Sequence, residues 1–169
     1  MLHGKSGVSF AALRGVIVCA LTGVAAFPAD APLAPLTVCE VVRDLAAREG
    51  QALAVVGRYS FRSSGRSLEE QACDPATAIP PQLRLVEDRV DSPKPPDSYE
   101  LDATELRRKL ADIEKRTSLG KFRFGSPDYD RWAVVFGRVD AAHGGDAQKM
   151  PANLTFRGDG VVVFLATQQ

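Results

Sequence analysis

The order of elements read along this chain predicts a mainly β (α+β) domain, a small Greek-key β-barrel of five to six strands. Three observations carry that expectation. Segments at 51–62, 83–86, 132–141 and 153–166 are short and apolar in the manner of strands. Segments starting at Thr37 and Asp102 carry helix-start signals followed by apolar stripes. Their sequence is helix, three strands, helix, then two or three strands. A helix between the third and fourth strands of a small antiparallel barrel is the plan of the OB-fold.

The first helix starts sharply. Thr37-Val38-Cys39-Glu40 spells a capping box, in which the Thr37 hydroxyl accepts from the Glu40 N–H and Glu40 reaches back. Leu36 and Val41 stand at hydrophobic-staple spacing, and Val38, Val41, Val42 and Leu45 make one apolar stripe. Gly50 is a stop signal. The first strand spans 51–62. Leu53, Val55, Tyr59 and Phe61 fall on one face, with Gly57 in step. Ala54, Val56, Arg58, Ser60 and Arg62 fall on the other. Gly57 inside the run predicts a bulge or a close crossing.

Ser63-Ser64-Gly65 is a turn, and Arg66 to Cys73 is the expected returning strand. A Pro-punctuated loop leads to a short third strand, Leu83 to Val86, and a Pro-rich loop covers 88–101. The second helix starts at Asp102, with Glu105 completing a box. Leu106, Leu110 and Ile113 form its buried stripe, and Gly120 can end it. A polar, aromatic loop precedes the strand from Trp132 to Ala141. Asn153 to Ala166 is then a strand pair, or one strand bent around Gly158-Asp159-Gly160.

Residues 1–26 read as a secretory signal peptide. Lys5 and Arg14 precede or open an apolar run at 15–24, and small residues close it at Ala25-Ala26. The run is shorter than the roughly 20 apolar residues of a membrane span. Residues 27–36 are a flexible lead-in, and 37–169 form the OB-like domain. The expected location is therefore periplasmic or secreted, with no membrane span in the mature chain.

The full chain carries 21 Lys+Arg and 21 Asp+Glu. Removing Lys5 and Arg14 with the signal leaves 19 against 21, a balance of −2. Such a chain lacks the positive footprint of phosphate-backbone binding, so no nucleic-acid partner is expected. Arg107-Arg108-Lys109 reads as solvated helix surface. Cys19 would leave with the signal, and Val18 before it does not suit lipid attachment. Cys39 and Cys73 remain, an even pair in an oxidising compartment, and the natural inference is one disulfide. A metal site would need two more ligands, and His143 is the only histidine beyond the signal. No metal and no cofactor is expected.

The chain resembles small exported bacterial proteins of OB-like fold and unassigned function. The resemblance rests on Val38-Cys39-Glu40 at a helix start, Val55-Val56-Gly57-Arg58 in a first strand, a cysteine near the end of the second strand, and Val134-Val135-Phe136-Gly137-Arg138 in a late strand. It covers most of 37–166 through short motifs, and implies a fold and an export route rather than an activity.

Chemistry is sparse. No Gly-x-Ser-x-Gly and no phosphate-binding glycine loop occurs. His143, beside Gly144-Gly145-Asp146, is a candidate ligand or hydrolase residue, set against an ordinary solvated turn. Arg58, Arg62, Arg66 and Arg84 are candidates to line an anionic-ligand groove on the strand 2–3 face. The alternative is that they solubilise an edge. Tyr59, Phe61, Trp132 and Phe136 are either a stacking platform or core. The candidate ligand-binding residues are thus Tyr59, Arg62, Arg66, Arg84 and His143, with no catalytic residue assigned. The expected function is a non-catalytic exported module that binds a small ligand, a glycan or an envelope protein. A hydrolase using His143 and single-stranded nucleic-acid binding are the alternatives.

Overall fold

A computed structural model describes residues 32–96, 100–120, 129–144 and 149–158, and the backbone of 162–165. The expected signal peptide at 1–26, the start of the expected lead-in, most of the loop after Gly120, Asp146 and the Asp159-Gly160 pair lie outside the described residues.

A two-residue strand β1 (Leu36–Thr37) leads into α1 (Val38–Arg43) and α2 (Leu45–Arg48). Strands β2 (Ala52–Arg62), β3 (Gly65–Glu69) and β4 (Gln82–Glu87) follow. Then come α3 (Ala103–Glu114), β5 (Tyr129–Ala141), β6 (Ala152–Phe156) and β7 (Val162–Leu165). The strand order is β1-β2-β3-β4-β6-β5-β7, and β2 also pairs with β5. That extra pairing closes a five-stranded barrel of OB-like plan, with α3 between its third and fourth strands.

The barrel is mixed rather than purely antiparallel. β6 slots between β4 and β5, antiparallel to β5 and therefore parallel to β4, with Leu85 opposite Leu154. The chain end from 152 onward is neither a hairpin nor an uninterrupted strand. β6 and β7 both lie antiparallel along one edge of β5, end to end. Arg138 faces Thr155 and Val135 faces Val162, so the two short strands take successive stretches of that edge.

Alternation along the strands makes two cores. The barrel interior holds Val55, Tyr59, Leu68, Leu83, Val135, Leu154 and Phe156, together with Val38, Val41 and Val42 of α1. The three valines of α1 are 0–1% exposed. Each stabilises its docking by about 1.5–3 kcal/mol, which a six-residue helix needs because it has no stability alone. The opposite face of β2 and β5 offers Ala54, Val56, Trp132, Val134 and Phe136, and α3 covers it with Leu106 and Ile113. Trp132 and Phe136 thus lie on the other side of the sheet from Tyr59 and Phe61.

Local signals explain the joints. The Thr37–Glu40 capping box is complete, at 3.1 Å from the Glu40 N–H to Thr37 Oγ1 and 2.6 Å from the Thr37 N–H to Glu40 Oε2. Gly57 is a close crossing: a methyl there would stand 2.9 Å from Val38 Cγ2 and 3.1 Å from Leu68 Cγ. Gly50 takes the left-handed φ of 75° that ends the α2 segment. At α3 only half of the expected box forms. Asp102 accepts from the Thr104 and Glu105 N–H groups, whereas Glu105 pairs with Arg108.

Four expectations change. β3 stops at Glu69, because Glu70 turns in to serve α1. α3 ends at Glu114, well before Gly120. Lys109 is buried, not solvated: its ammonium meets Glu40 at 2.7 Å across the α1–α3 contact. The end of the lead-in is hydrogen-bonded into the fold, the Leu33 N–H donating to Glu100 O and the Asp102 N–H to Leu33 O.

Cys39 and Cys73 form the expected disulfide, with Cα atoms 5.6 Å apart. It ties the first turn of α1 to the loop after β3. Beside it, buried Glu70 accepts from the Cys39 N–H at 2.9 Å and from Arg116 at 2.9 Å. Burial pushes the Glu70 carboxyl above its ordinary value, against the pull of these two donors.

Candidate functional site

The outward face of β2, β3 and β4 is built by strand alternation. Tyr59, Leu68 and Leu83 point into the barrel, so their neighbours point out. Register then sets Arg58 opposite Glu69, Arg62 opposite Gly65, Ser67 opposite Arg84 and Glu69 opposite Gln82. A groove of about 290 Å³ lies on this face, and Arg58, Arg62, Arg66 and Arg84 border it with Glu69 as its one acid. Ser64, Ser67 and Gln82 add neutral hydrogen-bonding groups, and Met150 closes one side.

Each arginine is positioned by the fold. Arg58 pairs with Glu69 at 3.2 Å and donates to Ser118 O at 2.8 Å. Its Nε–H is buried without an acceptor among the described residues, a costly state for a donor. Arg62 meets Asp130 at 2.5 Å and donates to the Tyr129 carbonyl at 3.1 Å. Asp130, with a side chain 1% exposed, also accepts from Ser60 at 2.9 Å and from the Gly120 N–H at 2.6 Å. Burial alone would raise its carboxyl. The donors Arg62, Ser60 and Gly120 outweigh burial and hold it below the ordinary value. Arg84 is exposed and donates its Nε–H to Met150 Sδ at 3.3 Å.

Arg66 belongs to the groove only by its place on β3. It shares a face with Phe61, directed to the barrel mouth. Its guanidinium stands 5.4 Å over the Phe156 ring and 3.0 Å from Glu87. Tyr59 is 4% exposed inside the barrel, near Tyr129 at 5.9 Å between ring centroids. Burial pushes its hydroxyl up to about 12, and Tyr129 adds to the effect. Phe61 also stacks with Tyr129, at 5.5 Å between ring centroids. His143 stands exposed just past the end of β5 and is not among the groove-lining residues.

So the structure brings Arg58, Arg62 and Arg84 together on one face and places Tyr59 and His143 elsewhere. Reading the sequence missed Ser67, Gln82 and Met150, which enter through cross-strand register. It also missed Asp130, the buried carboxylate that fixes Arg62. Asn153-Leu154-Thr155 lies within β6, paired on both edges. Thr155 there is buried and donates to Asp140 at 2.7 Å. Among the described residues no cluster of three or more His, Cys, Asp or Glu has metal-binding geometry, and no helix is long and apolar enough to cross a membrane.

No family model, no curated protein and no solved structure matches this chain.

Proposed function

We propose that this protein is an exported, non-catalytic OB-like module that binds an anionic ligand in the arginine groove. One observation carries the reading: three outward arginines, Arg58, Arg62 and Arg84, and one acid, Glu69, border a single groove, with serine and amide groups between them. Guanidinium forks match carboxylates and phosphates in plane and charge. The pairs to Glu69 and Asp130 hold two of the forks in place before a ligand arrives, which lowers the ordering cost of binding. A carboxylate-bearing glycan or an acidic segment of an envelope protein suits such a surface. The chain's near-neutral charge opposes a long phosphate backbone. The signal-like first 26 residues support export.

The test is titration of the purified protein with poly-L-glutamate, polygalacturonate, single-stranded DNA and neutral dextran at low and high salt. Binding of the two carboxylate polymers is expected, weakened by salt and by Arg84→Ala. Equal binding of dextran, or carboxylate binding indifferent to a combined Arg58→Ala, Arg84→Ala change, overturns the proposal. Preference for DNA would replace it with the nucleic-acid reading.

A further inference from the structure

We infer that Met150 is an oxidation site that adjusts the arginine groove through Arg84. The chain has two methionines, Met1 and Met150. Met150 is half-buried in the groove wall, and its sulfur accepts the Arg84 Nε–H at 3.3 Å. The contact is held from both sides. Arg84 lies mid-strand in β4, opposite Ser67 and Asn153. Met150 directly precedes Pro151, whose carbonyl accepts the Ala142 N–H at 2.9 Å, and Ala152, which pairs with Leu83 and Ala141. Sulfur and guanidinium are therefore neighbours by construction of the barrel, not through a chance meeting of two side chains on unanchored loops.

A thioether is a weak acceptor, and its sulfoxide is a polar, strong one. The oxidant is a peroxide. A sulfur lone pair attacks one peroxide oxygen, the S–O bond forms and the O–O bond breaks. The oxygen now on sulfur gives up its proton to the departing hydroxide, so one thioether and one hydrogen peroxide give one sulfoxide and one water. Sulfur loses two electrons, and the peroxide gains them. The new oxygen projects at the Arg84 guanidinium and competes there with an incoming carboxylate. Oxidation thus lowers anion affinity, and a methionine sulfoxide reductase reverses it. The affinity part rests on the groove reading given above, whereas the Met150–Arg84 coupling does not.

The experiment treats the purified full-length protein with hydrogen peroxide. Peptide mapping follows the added oxygen on Met150, and side-chain NMR follows the Arg84 Nε–H, assigned with Arg84→Lys. Conversion of Met150 should shift that resonance. Affinity for poly-L-glutamate should fall about tenfold, the scale of one lost charge-assisted hydrogen bond. Met150→Leu should bind equally with and without peroxide, and Met150→Gln should bind weakly without it. An Arg84 resonance unmoved at full oxidation overturns the inference, as does a Met150 that stays reduced in peroxide sufficient to oxidise the denatured chain. A moved resonance in a protein that never binds poly-L-glutamate upholds the coupling and defeats the groove reading instead.

Discussion

Replacing both Cys39 and Cys73 by Ala tests how the first helix is held. The bridged residues are 34 apart in sequence. In the chain-entropy treatment a closed loop of that size constrains the unfolded chain by about 4 kcal/mol. Cys39 is 2% exposed, so trimming it to Ala removes packing worth about 1 kcal/mol more. The three buried valines and the Glu40–Lys109 pair remain, so the variant is expected to fold, with stability lower by about 4–5 kcal/mol. In urea, with a slope near 2 kcal/mol/M, the midpoint should drop by roughly 2 M. Wild-type protein in dithiothreitol should show a similar drop. The effect acts through the unfolded chain, so fluorescence of Trp132, packed beneath α3, and far-UV circular dichroism should report the same transition. A loss below about 1 kcal/mol would refute the reasoning. So would opening of α1 alone, with the Trp132 transition unmoved.

Gly57→Ala should destabilise by about 1–3 kcal/mol, because its methyl would press on Val38 and the Glu69 carbonyl 3.3 Å away; thermal unfolding checks this, and a neutral result would mean that α1 shifts freely. Asp130→Asn should cost about 1–3 kcal/mol at pH 7, as Arg62, Ser60 and the Gly120 N–H lose a carboxylate acceptor, and less near pH 3. The folded carboxyl of Asp130 lies below its ordinary 3.8, so its contribution is complete above that value and fades as pH falls through the folded one. Glu70→Gln should show the opposite trend in urea titrations at several pH values. The folded carboxyl of Glu70 lies above its ordinary 4.5, so its contribution is full below 4.5 and is lost as pH rises through the folded value. Wild type should therefore lose ground to Glu70→Gln as pH rises from mildly acid to neutral, and an advantage growing with pH would contradict the assignment.

Local chemistry is legible in the residues themselves. The Thr37–Glu40 box and the long strand at 51–62 follow from neighbouring residues, Gly57 is a close crossing rather than a bulge, and the Cys39–Cys73 bridge follows from the count of cysteines. What depends on partners far along the chain was not legible. Lys109 looks solvated until Glu40, on another helix, is brought to it. β6 and β7 share an edge of β5 only because register places them there. The candidate site divides in the same way. Alternation in 51–62 already sets Tyr59 on the face opposite Arg62, so pooling the two as ligand residues ignored a rule visible in the strand. That Arg66 turns to the barrel mouth, and that Met150 reaches Arg84, required the pairing of β3, β4 and β6.

The placement of β6 has a consequence for assembly. A chain made from its N-terminus presents β2, β3 and β4 early, but β4 has no second neighbour until residues 152–156 exist. β5 can pair with β2 and still leave a gap one strand wide. Until β6 arrives, the apolar side chains of Leu83 and Leu85 face an open slot. β6 is therefore a keystone. Its contacts with β4 are distant in sequence, and such contacts form slowly. Truncation just before Ala152 should leave a soluble-looking α1–β5 fragment with a sticky seam, inviting a strand from another molecule to take the vacant place.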